Sequence, residues 1–293
     1  MKISKDKLVF RILGVFLIIL ITVFCVVPFV LIVTGSMTSQ ASILRDGYRF
    51  VPKEISFEAY KIIFDSPNML LKAYAVTIGI TVIGALLGLF LTSMASYVLV
   101  SKDFKYRNHF SFYFYFTTIF GGGLVPWYIM MVKYLKMKNT YTSLVFPLLM
   151  NVIYILIMKN FMKSIPDAIF ESAKLDGAGD FTIFINLVLP LSKPALATIG
   201  LFIALNYWND WYNAMLFIDK QELYPLQYFL YNILSKLDFI NQSASRSGVP
   251  VPQMPSEPMK LAMTVVATGP IVLLYPFIQK YFVKGITIGA VKG

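Results

Sequence analysis

The chain is 293 residues long, 57% hydrophobic and only 14% charged, where soluble domains carry about 25% charged residues. Its net charge of +11 would raise nucleic-acid binding in a soluble protein, but no basic face with interleaved aromatics lies outside the apolar runs, and no nucleic-acid partner is expected. The one cysteine, Cys25, excludes an intrachain disulfide and a cysteine-based metal site, and the one histidine, His109, stands in a short basic loop where solvation is the ordinary reading.

Six apolar runs follow in chain order, near 12–33, 73–100, 112–132, 142–158, 194–217 and 261–282. Each can cover the ~30 Å hydrocarbon core, which needs about 20 helical residues. Backbone groups in lipid must be satisfied within the segment, so the runs are read as helices. The chain 1–293 is therefore expected to be a single all-α membrane domain with six spans. Lys2, Lys5, Lys7 and Arg11 precede the first run, which exceeds the about 7–15 apolar residues of a signal peptide and is expected to be retained. An even number of spans puts both termini on one side. The N-terminal cluster and Lys102, Lys105 and Arg107 favour the inside, although Lys133, Lys136 and Lys138 then fall outside.

The long outer segments are 35–71 and 218–259. The second holds Pro225, Pro250, Pro252, Pro255 and Pro258 and is expected to be largely irregular. Within it, the bulky residues of 224–237 predict a short ordered helix. In the second run, Gly84 and Gly88 form a G-x-x-x-G pattern suited to close helix packing. In the third, Gly121, Gly122, Gly123 and Pro126 predict a kink or a local opening.

The inner segment 164–190 has its own mechanics. Pro166 can open a helix at its first turn, with Asp167 and Glu171 toward the positive end of the dipole. Gly177 can take φ > 0 and end that helix. A second short helix then leads to Pro190 and the fifth run. On mechanics alone this is either a compact helix–turn–helix or an ordinary loop. The segment resembles the EAA motif of binding-protein-dependent ABC importer permeases. Glu171, Ala173, Gly177, Leu189 and Pro190 match at the family spacing, with Ser172 in place of an alanine and Leu187 in place of an isoleucine. Residues 173–178, 189–197, Tyr207–Trp211 and the tail 279–293 resemble the maltose-type carbohydrate permeases. The last outer loop and residues 121–126 resemble the complex-oligosaccharide subfamily, and the resemblance covers nearly the whole chain.

That resemblance implies a six-transmembrane-helix type I ABC importer permease with a cytoplasmic coupling helix. It implies that Glu171, Ala173, Asp176, Gly177, Leu189 and Pro190 serve coupling to an ATPase subunit, and that Lys284, Gly285 and Gly289 of the tail reach the same interface. The implied partners are a second homologous permease, two ATPase subunits, an extracellular solute-binding protein and membrane lipids. The implied place is a bacterial cytoplasmic membrane, with both termini in the cytoplasm. The chain holds no G-x-x-x-x-G-K-[ST] phosphate loop. No catalytic residue, metal ligand or cofactor is therefore expected in it, and ATP and Mg belong to the partner subunits.

The implied cargo is a carbohydrate, in particular an oligosaccharide. Asn206, Asn209, Asp210 and Asn213 recur at i, i+3, i+4 and i+7, one helical face of the fifth span. With Trp208, Trp211 and, on the fourth span, Asn151 and Tyr154, they form the candidate path for sugar hydroxyls and sugar faces. The alternatives are interfacial aromatics and amides that bridge helices. Ser243, Ser245 and Ser247 are the candidate contacts for the binding protein. Rival functions remain an ABC permease for a non-sugar solute, a secondary transporter, which often shows the inverted repeats absent here, and a membrane enzyme. The spans hold one acid, one cysteine and no histidine for such an enzyme.

Overall fold

Long unbroken apolar sequence without lipid-incompatible backbone folds here into helix. The computed structural model describes residues 5–247 and 254–290, with the backbone alone for 5–6, 244–247, 275, 277–278 and 280–290. Helices make up nearly all of the regular structure. An isolated bridge between Thr38 and Ile55 is the one strand-like pairing among the described residues.

Three helices are long and apolar enough to cross a membrane unaided: Lys5–Ser36, Pro67–Val100 and the first part of Ser256–Ala290. By length and composition, up to three further spans arise if bent pairs are joined. Arg107–Ile119 meets Leu124–Tyr134 at 111°, Tyr141–Leu148 meets Val152–Met162 at 49°, and Asp180–Leu191 meets Lys193–Trp208 at 85°. The expected kink in the third run is thus a sharp break. It falls at residues 120–123, where Gly123 has φ of 82°. The fourth run, expected as one helix, is also broken, and it restarts after Asn151.

The chain divides into two compact units, Met1–Pro67 with Leu230–Ile271, and Asn68–Phe229 with Val272–Gly293. In the first unit, the Lys5–Ser36 helix leaves its apolar side chains, such as Phe10, Phe16 and Phe24, exposed. Its lower end is tied down by a hydrogen bond between the Ser36 and Tyr60 hydroxyls at 2.8 Å. The Tyr48 hydroxyl donates to Glu257 at 2.9 Å. The Glu257 backbone N–H donates to the Gln40 side chain at 3.0 Å.

The outer segment expected to be largely irregular contains a helix of 22 residues, Leu226–Ser247. Leu226, Phe229, Leu230 and Leu237 are its buried side chains. Their helical spacing overrides the polar composition of the end of the segment. Pro225 immediately precedes this helix, Pro255 precedes the Ser256–Ala290 helix, and Pro258 falls in the first turn of the latter, where proline is tolerated. Asn241 ties the two sides of 248–253 together: its side chain accepts from Met254 N at 3.0 Å and donates to Ser256 Oγ at 2.7 Å.

In the second unit, Met158, Met162, Ala173, Ile183, Phe184, Val188, Ile199 and Tyr207 share one buried cluster. Close approach of helices makes it possible. A Cβ on Gly88 would stand 2.9 Å from the Leu149 carbonyl oxygen. The G-x-x-x-G pattern therefore serves packing, as its spacing predicts.

Candidate coupling hairpin and transport path

The segment 164–190, expected on the inner side, folds as a helical hairpin. Asp167–Leu175 forms its first helix. Pro166 sits at the cap position in extended conformation rather than within the first turn, as Pro's preset φ and missing N–H allow. Asp167 lies in the first turn, where its charge suits the helix dipole.

The helix stops through a Schellman arrangement. Gly177 takes φ of 80°. Its N–H donates to the Lys174 carbonyl at 3.0 Å, and the Ala178 N–H donates to the Ala173 carbonyl at 3.0 Å. These two bonds satisfy carbonyls that a helix end otherwise leaves open. Nothing lies within 4 Å of a Cβ built on Gly177, so the backbone angle, and not crowding, selects glycine there.

The motif residues divide by environment. Ala173 is buried in the large cluster of the second unit, and a longer side chain would have to displace Ile183 or its neighbours. Glu171 and Asp176 are exposed. After the short Asp180–Ile183 helix, Phe184–Val188 forms a π-helical turn. Pro190, two residues after the turn, has no N–H to give back to an i−4 carbonyl, which accounts for the changed hydrogen-bond register. Leu189 and Pro190 then lead through Ser192 into Lys193–Trp208.

Two crossed ion pairs hold the hairpin to the preceding inner loop. Lys102 Nζ lies 2.6 Å from an Asp167 carboxylate oxygen, and Lys174 pairs with Asp103. The hydrogen bond to Asp103 pushes the Lys174 pKa above the usual lysine range. Sequence reading missed these contacts. Lys102 and Asp103 are adjacent, but their partners are 65 and 71 residues away, and no local pattern links them. It also missed Leu175 and Phe181, which stand 88% and 64% exposed on the hairpin tip. An apolar side chain that bare at a helix C-terminus was the available signal.

The expected polar stripe is not one helical face. Lys193–Trp208 ends before Asn209, and Tyr212–Phe217 starts a separate helix. Asp210 causes the break. Its carboxylate accepts from the Asn213 backbone N–H at 3.2 Å and the Asn213 amide at 3.0 Å. Such local side-chain acceptors compete with continued helix. Asn213 is buried, at 8% exposure. Asn151 likewise caps Val152–Met162 by accepting from Ile153 N at 2.9 Å, instead of sharing a helical face with Tyr154.

Two of the expected path residues are brought together. The Asn206 amide donates to the Tyr154 hydroxyl at 3.0 Å, and the Tyr154 ring stacks on Phe202 with centroids 6.2 Å apart. Asn206 and Asn209 are exposed, and Asn209 accepts from Gln227 at 3.4 Å. Trp208 is buried while Trp211 is exposed.

Ser243 is exposed on the Leu226–Ser247 helix, and Ser245 and Ser247 continue it with only their backbone described. The side chain of Lys284 lies outside the described residues, as do the surroundings of Gly285 and Gly289, all of which fall in the unbroken Ser256–Ala290 helix. No group of three or more His, Cys, Asp or Glu residues suited to a metal occurs among the described residues.

No family model matches the chain. Individual relatives match it closely. It is 38% identical over 270 residues to Protein LplC of Bacillus subtilis, with 92% of this chain and 90% of that one covered. It is 37% identical over 288 residues to the polygalacturonan/rhamnogalacturonan transport system permease protein YtcP of the same organism, with 98% of each covered. It is 26% identical over 298 residues to the arabinooligosaccharides transport system permease protein AraQ of Bacillus subtilis, with 99% of each covered. Among solved structures it resembles a bacterial ABC transporter involved in the import of the acidic polysaccharide alginate, with TM-score 0.75 and 28% identity over 96% of this chain and 99% of that one. Broken apolar spans, a glycine-stopped inner hairpin and full-length similarity to named permeases lead to one assignment: the chain belongs to the family of sugar ABC-transporter permeases.

Proposed function

We propose that this chain imports an oligosaccharide across a bacterial cytoplasmic membrane as one of two permease subunits, with both termini in the cytoplasm. The observation that carries the reading is the inner hairpin. It is rigid at its base, where Ala173 is packed in the core, and stopped at Gly177 by two hydrogen bonds. It is apolar at its tip, where Leu175 and Phe181 stand bare. A rigid knob with an apolar end suits a cleft on an ATPase subunit, whose closure it transmits to the spans. ATP and Mg are held by two such subunits, in keeping with the lack of a phosphate-loop motif in this sequence.

The cargo reading draws support from the relatives named for polygalacturonan and rhamnogalacturonan, for arabinooligosaccharides and for alginate. Asn206, Tyr154 and Asn209 supply the polar wall, and the exposed Trp211 ring is the one that meets a sugar face, since Trp208 is buried. Asp210 and Asn213 shape the break in the fifth span. An extracellular binding protein delivers the cargo to the outer helix near Ser243, Ser245 and Ser247. ATP binding shifts the population between inward and outward access.

The test is ATP hydrolysis by the importer reconstituted with its ATPase subunits and its binding protein. Stimulation by the binding protein loaded with oligosaccharide, above the unloaded protein, is the expected result. Stimulation by a non-sugar solute alone would contradict the cargo reading.

A further inference from the structure

A cleft of about 510 Å³ lies beside the coupling hairpin, lined by Lys102, Arg107, Lys159 and Lys163, with Asn108 and Asp167. It forms where the ends of apolar helices meet. Leu99 and Val100 close the Pro67–Val100 helix, Arg107 opens Arg107–Ile119, and Lys159 lies in the last turn of Val152–Met162. Lys102 is paired with Asp167 at 2.6 Å. The other three cations enter no ion pair among the described residues.

Arg107 and Lys159 are half-buried. The Lys159 ammonium donates to Ser111 Oγ at 2.8 Å, which fixes it at the mouth of the cleft. It is near enough to Lys163 and Arg107 to feel both charges. Two half-buried charges, Arg107 and Lys159, with the exposed Lys163 beside them, repel one another, and an anion between them removes that penalty. The surroundings say which anion. The Arg107–Ile119 helix leads away from the cleft with no buried residue, and Phe110, Phe112, Tyr113 and Phe116 along it are exposed. A cationic cleft continuous with an apolar helix surface has the layout of a lipid headgroup and its acyl chains.

We propose that this cleft binds the phosphate of an anionic membrane lipid, whose acyl chains lie along the exposed aromatic side chains of the Arg107–Ile119 helix. The bound lipid neutralises Arg107, Lys159 and Lys163 and braces the base of the hairpin from the membrane side. The proposal uses neither the cargo nor the identity of the ATPase.

Native mass spectrometry of the assembled importer, titrated with phosphatidylglycerol and with phosphatidylcholine, tests it. The wild type should retain phosphatidylglycerol preferentially. Arg107→Gln, Lys159→Gln and Lys163→Gln should each lower that preference about fivefold, and Lys159→Arg should keep it. Lys133→Gln with Lys136→Gln, outside the cleft, should also keep it. If Arg107→Gln or Lys163→Gln does not assemble, the Lys159→Gln and Lys159→Arg pair decides alone. Unchanged preference in the cleft variants would overturn the proposal. Displacement of the lipid by millimolar inorganic phosphate would assign the cleft to a soluble anion instead. A preference present in the isolated permease but lost on assembly would assign it to an acidic segment of the ATPase subunit.

Discussion

The Tyr207 ring occupies the space that a side chain at position 84 would need: a Cβ on Gly84 would stand 2.3 Å from the ring carbon that bears the hydroxyl. That hydroxyl donates to the Val145 carbonyl at 2.7 Å, so the ring cannot swing aside freely. Gly84→Ala should therefore lower the stability of the permease in detergent by about 1–3 kcal/mol through overpacking. Tyr207→Phe leaves the Val145 carbonyl without its donor and should cost about 1–3 kcal/mol as well. Thermal unfolding of both variants checks this, and a Gly84→Ala protein as stable as wild type would show that the contact is not tight.

Gly177 tests the turn without testing packing, because space around it is open. Gly177→Val places a β-branched residue at φ of 80°, a strain of about 1–3 kcal/mol. Transport should fall while membrane insertion stays normal. Wild-type uptake by this variant would mean that the stop at Gly177 is dispensable.

The crossed ion pairs predict a charge-swap rescue. Lys102–Asp167 and Lys174–Asp103 are exposed and screened by water, and each should contribute little to stability. Their effect should appear in coupling instead. Asp103→Lys should reduce the ratio of transport to ATP hydrolysis, and Asp103→Lys with Lys174→Asp should restore it. Failure of the double variant to recover would separate the pairs from coupling.

Cysteine labelling distinguishes the residues at the break in the fifth span. In a Cys25→Ser background, cysteines at Asn206 and Asn209 should react readily with a polar thiol reagent. A cysteine at Asn213 should react slowly, because that position is 8% exposed and faces Asp210. Equal rates at all three would restore a continuous polar face.

Much of this was legible in the sequence, for definable reasons. Runs of apolar residues fix where helices cross lipid, and Gly84 with Gly88 announced a close approach that Tyr207 and Leu149 confirm. Gly177 announced a left-handed stop. Periodicity failed where side chains bond to their own backbone. Asn206 to Asn213 had helical spacing, yet Asp210 and Asn151 each cap a new helix and interrupt the old one. In the outer segment the bulky residues of 224–237 did announce a helix, but proline counting and the polar composition after Leu237 hid its length, since it runs on to Ser247. The pairing of Lys102 and Asp103 with residues of the hairpin is a tertiary fact that no window of sequence contains.

The central claim is that the hairpin tip enters an ATPase subunit, and Leu175 is the place to ask. A photo-crosslinking residue at Leu175, which is 88% exposed in the permease alone, should form an adduct with the ATPase subunit in membranes carrying the whole importer. The same probe at Leu191, exposed in the short helix after the π-helical turn, should form far less. Adducts at Leu175 that go to lipid, or that fail to form with and without nucleotide, would contradict the account.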